Sequence, residues 1–320
     1  PKQSSFVMHA AVARHYFSGG SFPIGGSSRI ATTVDKVIEN AGGTILISAE
    51  VDEVIIDKNK ATGVKMKDGK IFSAKNIISG AGIMTTYDKL LPKQIVGKHQ
   101  LKEQLKKVKR SVSHACLYIG LKGSPEELKL PKTNYWIYPD KIDHDTAVDN
   151  YVKDLKSYFT VVYISFPSAK DPDWSNRYPG KSAIDIITLL PYEPFDKWKN
   201  SNWMKRDESY TAMKEKIAQR LLNELYKQLP HLEGKIEHYE LSTPLTTKHF
   251  INYQEGEIYG LDHTPKRFIQ RFLKPKTPIK NFYLTGQDIV TAGVAAALFS
   301  GVITTAAITR KNIIKKVMQR

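Results

Sequence analysis

Apolar and polar residues along this chain fall into two rhythms, and the points where one gives way to the other outline its elements. Residues 4–18 are apolar and helix-compatible, and they run into a glycine-rich stretch at 19–26. Ser27 and Ser28 then supply N-cap chemistry, since a short side-chain oxygen can accept from the unpaired first amides of a helix. Ile30, Ala31, Val34, Val37 and Ile38 recur at helical spacing as far as Gly42-Gly43, where glycine suits a left-handed C-cap. Beyond that the period shortens. Strands are predicted over 44–47, 51–56, 63–66 and 71–74, with Asp68-Gly69 as a hairpin signal, and a short buried strand over 76–79 ends at Gly80-Ala81-Gly82.

The texture changes from about residue 86. Residues 98–110 predict one basic amphipathic helix with Leu101, Leu105 and Val108 on its apolar face. Further strands are predicted over 115–121, 134–138, 159–165, 184–189 and 236–241, and a long helix over 210–229 is closed by Pro230. Residues 282–285 read as a short apolar strand leading through Gly286-Gln287-Asp288 into a helix of small residues. The order predicts an α/β (α+β) chain in which 1–85 and 250–320 share one sheet, interleaved with a mixed-sheet and helix domain over 86–249.

Composition narrows the function classes. At 41% hydrophobic and 25% charged the chain is an ordinary globular one, but its formal net charge of +16 predicts an anionic partner. Nucleic acid, a phospholipid surface and a phosphorylated ligand all fit that charge, and the lack of zinc-finger spacing or a single-strand-binding signature makes nucleic acid the lesser reading. The single cysteine, Cys116, excludes an internal disulfide and a cysteine-based metal cluster. The histidines show no metal spacing, and no GxSxG elbow supports hydrolase chemistry. Residues 289–309 carry no charge and could span a bilayer, yet Thr291, Gly293, Ser300, Gly301 and Thr304 suit a buried, closely packed helix better. The first residues form no signal peptide, so the expected location is cytoplasmic, peripheral on a membrane.

Two segments carry candidate chemistry. Gly80-Ala81-Gly82 follows a strand, but Thr85 stands where a Rossmann fingerprint has its third glycine, and the ribose-binding acid is missing. The segment reads instead as a loop passing close to a nucleotide. After Gly286 and Asp288, the run Gly293-Val294-Ala295 opens a helix whose first turns are nearly free of side chains. Its backbone amides can approach a pyrophosphate or the pyrimidine edge of a reduced flavin, while Asp288 could accept from a ribityl hydroxyl. A tightly packed core helix capped by Asp288 is the alternative.

Taken together, these segments resemble a known family. His15-Tyr16-Phe17, Phe22 through Ser28, Ala41-Gly42-Gly43, Gly63-Val64, Asp68-Gly69, Ile78 through Gly82 and Gly256 through His263 are similar to the carotenoid desaturase and isomerase group. The run Tyr283-Leu284-Thr285-Gly286-Gln287-Asp288 most resembles the retinol saturases within it. The resemblance implies an FAD-binding domain of the glutathione-reductase type and a separate substrate domain. It implies cofactor contacts at Val51, Ser79, Gly80, Ala81, Gly286, Asp288, Gly293, Val294 and Ala295. Family members begin with a strand, a GxGxxG turn and a helix that this sequence does not contain, so it resembles their carboxy-terminal portion and is expected to bind FAD weakly or not at all. The implied reaction is hydride transfer between flavin and a carbon of an apolar, isoprenoid-like polyene. Tyr259 and His263, within the resembling motif, are the candidates for moving the accompanying proton. A carotenoid desaturase or isomerase, a flavin amine oxidase, and a non-catalytic basic lipid-binding protein with a vestigial flavin fold are the rivals. Residues 98–110 and the tail 310–320 are the expected membrane-facing segments.

Overall fold

The computed structural model describes residues 2–319; Pro1, the first position of the sequence, and Arg320, the last of the basic tail, lie outside the described residues. In chain order the strands are β1 (Val51–Asp57), β2 (Lys60–Met66), β3 (Ile71–Ser73), β4 (Ile77–Ser79), β5 (Ser113–Lys122), β6 (Tyr135–Ile137), β7 (Val162–Ser165), β8 (Lys181–Leu190), β9 (Ile236–Ser242) and β10 (Phe282–Leu284). Contacts divide the chain into two units, one built mainly from Ala13–Ile45 and Ser113–Phe250, the other from Gln3–Val12, Leu46–Val112 and the residues from Ile251 onward.

The first unit is organised on an antiparallel sheet of order β6-β7-β8-β5-β9. β5 and β8 pair from Ser113↔Leu190 to Lys122↔Lys181. Side chains alternate across a pleated strand, so Ile184, Ile186, Thr188 and Leu190 of β8 all reach the same buried face. There they meet Leu117 and Ile119 of β5 and Leu221, Leu222 and Leu225 of the helix Glu208–Gln228. That helix starts where Asp207 accepts the Tyr210 amide at 3.1 Å, and the Trp198 indole donates to the same carboxylate. Cys116 is buried and unpaired, and burial, followed by the charge of Asp185, pushes its thiol up to about 12. That is the environment of an inert core cysteine.

The second unit holds an antiparallel sheet β1-β2-β3 and a parallel pair, β10 against β4. Phe282, Tyr283 and Leu284 pair with Ile77, Ile78 and Ser79. The far edge of β10 is closed by its own preceding turn, with the Leu284 amide donating to Pro275 O at 2.9 Å. Val54, Ala61, Ile83, Tyr87, Leu101 and Phe282 are among the residues that fill the core between these pieces.

Three expectations change. Residues 44–47 are not a strand: they find no partner, Leu46 and Ile47 are exposed, and Ser48 turns the chain at φ 52°. The helix expected over 98–110 is two short ones, Lys93–Lys98 and Leu101–Leu105, broken at Gln100, which is left-handed (φ 51°). Leu101, Leu105 and Val108 still share one face and enter the core, as their i, i+4, i+7 spacing predicts; what ends the regular helix is the left-handed backbone at Gln100. The small-residue helix runs over Val294–Thr309 and buries Ser300 and Thr304, while Val294, Leu298 and Phe299 are exposed. Its polar side chains are the inward ones. Among the described residues no helix is long and apolar enough to cross a membrane.

Candidate functional site

The candidate site belongs wholly to the second unit and is built where β4 and β10 end side by side. The Thr285 amide donates to Ser79 O at 2.9 Å, continuing the parallel ladder into the two loops. Ser79 is buried and shares a 2.7 Å hydrogen bond with the Thr86 hydroxyl. A Cβ at Gly286 would make only ordinary contact with Gly80 O, at 3.8 Å, and it is the positive φ of 96° that calls for glycine in this turn. Val51, Ser79, Gly80 and Ala81 line one cavity of about 310 Å³, together with Val64, Ile78 and Asn252.

Asp288 is the centre of the arrangement and is 4% exposed. One carboxylate oxygen accepts from the Ile83 amide at 2.7 Å and the other from the Leu261 amide at 3.0 Å. Burial pushes its carboxyl up, opposed by those amides and by Arg267. A carboxylate so engaged locks three loops together and presents no oxygen outward. Gly260 is obligatory here, since at φ 63° any Cβ would sit 2.0 Å from Asp288 Oδ1.

Arg267, 2% exposed, completes the lock. Its guanidinium donates to Leu261 O at 2.8 Å, Gln287 O at 2.7 Å and His263 Nε2 at 3.0 Å. The Ala292 amide donates to the same His263 nitrogen at 2.9 Å. Two donors on Nε2 require a neutral imidazole protonated at Nδ1. Burial first and the Arg267 charge second hold His263 down to about 4. Tyr259 is half-exposed, its ring edge-on to His263 at 6.3 Å. The segment carrying both is pinned by Ser111, whose amide donates to Gly260 O at 2.8 Å and whose hydroxyl accepts from the Tyr259 amide at 2.9 Å.

Gly293, Val294 and Ala295 stand apart from that cavity, at the open amino end of the Val294–Thr309 helix. No side chain caps this end, the first helical amide bond is Ala297 N to Gly293 O, and nothing would touch a Cβ at Gly293. Unpaired amides and an open backbone surface fit an electron-rich group. Ser300 anchors the helix from below, accepting from the Gly286 amide at 2.7 Å. Arg267 does not stand out in the sequence, whereas Ser300 is among the small residues expected on a buried, closely packed helix. Arg267 lies in Pro265-Lys266-Arg267, where a surface cation is the default reading.

The chain is 36% identical to the human all-trans-retinol 13,14-reductase over 325 residues, which cover 98% of this chain and 53% of that protein. It is a homologue of those reductases. The homologous stretch thus spans about half the length of the curated reductase it matches. Similarity to the chloroplastic prolycopene isomerase of Arabidopsis thaliana is lower, 30% over 91% of this chain and 45% of that protein. No protein-family model matches the chain. Among solved structures, putrescine oxidase with bound putrescine shares the fold at a TM-score of 0.53 and 15% identity, over 90% of this chain and 54% of that one. The chain therefore shares a mixed helix-and-sheet fold with that oxidase.

Proposed function

We propose that this chain is part of an FAD-dependent oxidoreductase that adds hydrogen across a double bond of a retinoid- or carotenoid-like polyene. The observation that carries the reading is the locked pair of turns. Gly80 and Gly286 face each other where β4 and β10 end, and the helix that follows Gly286 opens with an uncapped amino end at Gly293. The second unit would supply the flavin-binding side, in a glutathione-reductase-type arrangement, and the first the substrate side.

FAD supplies the hydride chemistry when bound. The uncapped amides from Gly293 to Ala295 would face its electron-rich portion, and the cavity beside Val51, Ser79, Gly80 and Ala81 would take the nucleotide end. Asp288, with both oxygens engaged, would act as a positioning residue that holds the Gly286 turn. His263 would serve in the same way, because its Nε2 is filled by Arg267 and Ala292. Tyr259 is then the stronger of the two candidates for proton movement.

The net charge of +16 supports delivery of an apolar substrate from an anionic membrane surface. The helix Ile313–Met318, with Ile314, Val317 and Met318 exposed beside Lys315 and Lys316, has the composition of an interfacial element. The likeness to an isomerase makes isomerisation the second reading. The test is to purify the longest product of the gene, measure its flavin absorbance, and incubate it with reductant and all-trans-retinol or a carotenoid. A product heavier by two hydrogens supports saturation. An unchanged or lighter mass overturns it in favour of isomerisation or desaturation, and protein free of flavin overturns the flavoprotein reading.

A further inference from the structure

A second pocket lies entirely within the antiparallel unit and is separate from the turns described above. Its volume is about 450 Å³, inside the range of about 300–1,000 Å³ usual for small-molecule sites. Trp203, Tyr210, Phe250 and Tyr118 line it, with Met204 and Ser242. The Trp203 ring is fixed by stacking on His249 at 4.9 Å and meets Phe250 edge-on at 5.0 Å. Phe250 and Met204 are 68% and 84% exposed.

Two features separate this pocket from an ordinary gap between side chains. Met204 holds a left-handed backbone (φ 57°), a conformation costly for a non-glycine residue, while extending an apolar side chain into solvent. The charged residues of the lining have partners within the protein, although among the described residues Arg206 meets rings and hydroxyls and no carboxylate. Lys214 pairs with Glu240, and the Arg206 guanidinium lies 4.7 Å from the Tyr210 ring centre and donates to Ser201 Oγ at 3.2 Å. The pocket therefore offers mainly apolar, aromatic walls.

We infer that this pocket binds the cyclic hydrocarbon end of a ring-bearing polyene, against Trp203 and Phe250 with Met204 closing over it. The inference rests on the polyene reading above and adds where, in the antiparallel unit, the ring is held. Aromatic faces offer large apolar contact area, and an unbranched thioether adapts to the irregular outline of a puckered, methyl-bearing ring.

The test uses the 320-residue chain and all-trans-retinol, read by quenching of tryptophan fluorescence. Saturable quenching is expected, displaced by the ring fragment β-ionone and not by hexadecanol. Phe250→Ala should weaken binding about tenfold, the loss of one aromatic contact. Because Phe250 is mostly exposed, its thermal midpoint should stay near that of the parent. Met204→Gly should raise the thermal midpoint, by relieving the backbone, while weakening binding. No saturable quenching, equal displacement by hexadecanol, or unchanged affinity in both variants would overturn the inference. Flavin content is measured separately on the longest product of the gene, so an empty pocket in a protein that does bind flavin sinks this inference alone.

Discussion

Asp288 looks like a ligand-facing carboxylate in the sequence, and in the fold it is a three-way clasp. Both oxygens accept backbone amides, from Ile83 and Leu261, that are 205 and 27 residues away in the chain. Gly260→Ala should therefore destabilise the protein by about 3 kcal/mol or more in urea unfolding, since left-handed strain and a clash with Asp288 add. The neighbouring His263 makes stability depend on pH. Its folded-state value, near 4, lies below the ordinary 6.5, so the unfolded chain takes up the proton first. Stability contributed by neutral His263 is complete above pH 6.5, falls between 6.5 and 4, and levels off below 4. Urea midpoints measured across that window should show the slope in the parent and lose part of it in His263→Gln.

Among the elements, the helix Glu208–Gln228 behaves as its local pattern dictates. Its cap, Asp207, serves the Tyr210 amide and the Trp198 indole together. Asp207→Ala should cost about 2 kcal/mol, about 1 from the lost cap and the rest from the buried Trp198 indole left unpaired, measured by thermal or urea unfolding. The helix Val294–Thr309 shows the opposite case. Its composition suggests a buried rod, whereas Ser300 and Thr304 face inward because Gly286 N and Leu284 O need partners that apolar residues cannot supply. Ser300→Ala should leave the Gly286 amide without its acceptor and loosen this turn, seen as faster hydrogen exchange at Gly286 than in the parent.

For the whole molecule, charge is the property most open to test. Forty-eight lysines and arginines against 32 acidic residues predict sedimentation with vesicles containing phosphatidylserine at low salt. Binding should be lost near 0.5 M salt and absent with neutral vesicles; binding indifferent to salt would remove the membrane proposal. Amino-acid sequence alone determined the elements whose pattern is local: β5, β8, the Asp207-capped helix, and the strand-turn-helix at residues 282–309. It also carried the family resemblance at both ends. Tertiary structure alone decided the rest. The stretch 44–47 has strand propensity and no partner strand, and 98–110 breaks where Gln100 takes a left-handed backbone that its apolar periodicity does not record. Arg267, Gly260 and Ser300 acquire their roles only when distant loops arrive beside Asp288 and Gly286. Periodicity records which face of a segment is apolar; what that face, or a lone polar group, will meet depends on residues hundreds of positions away.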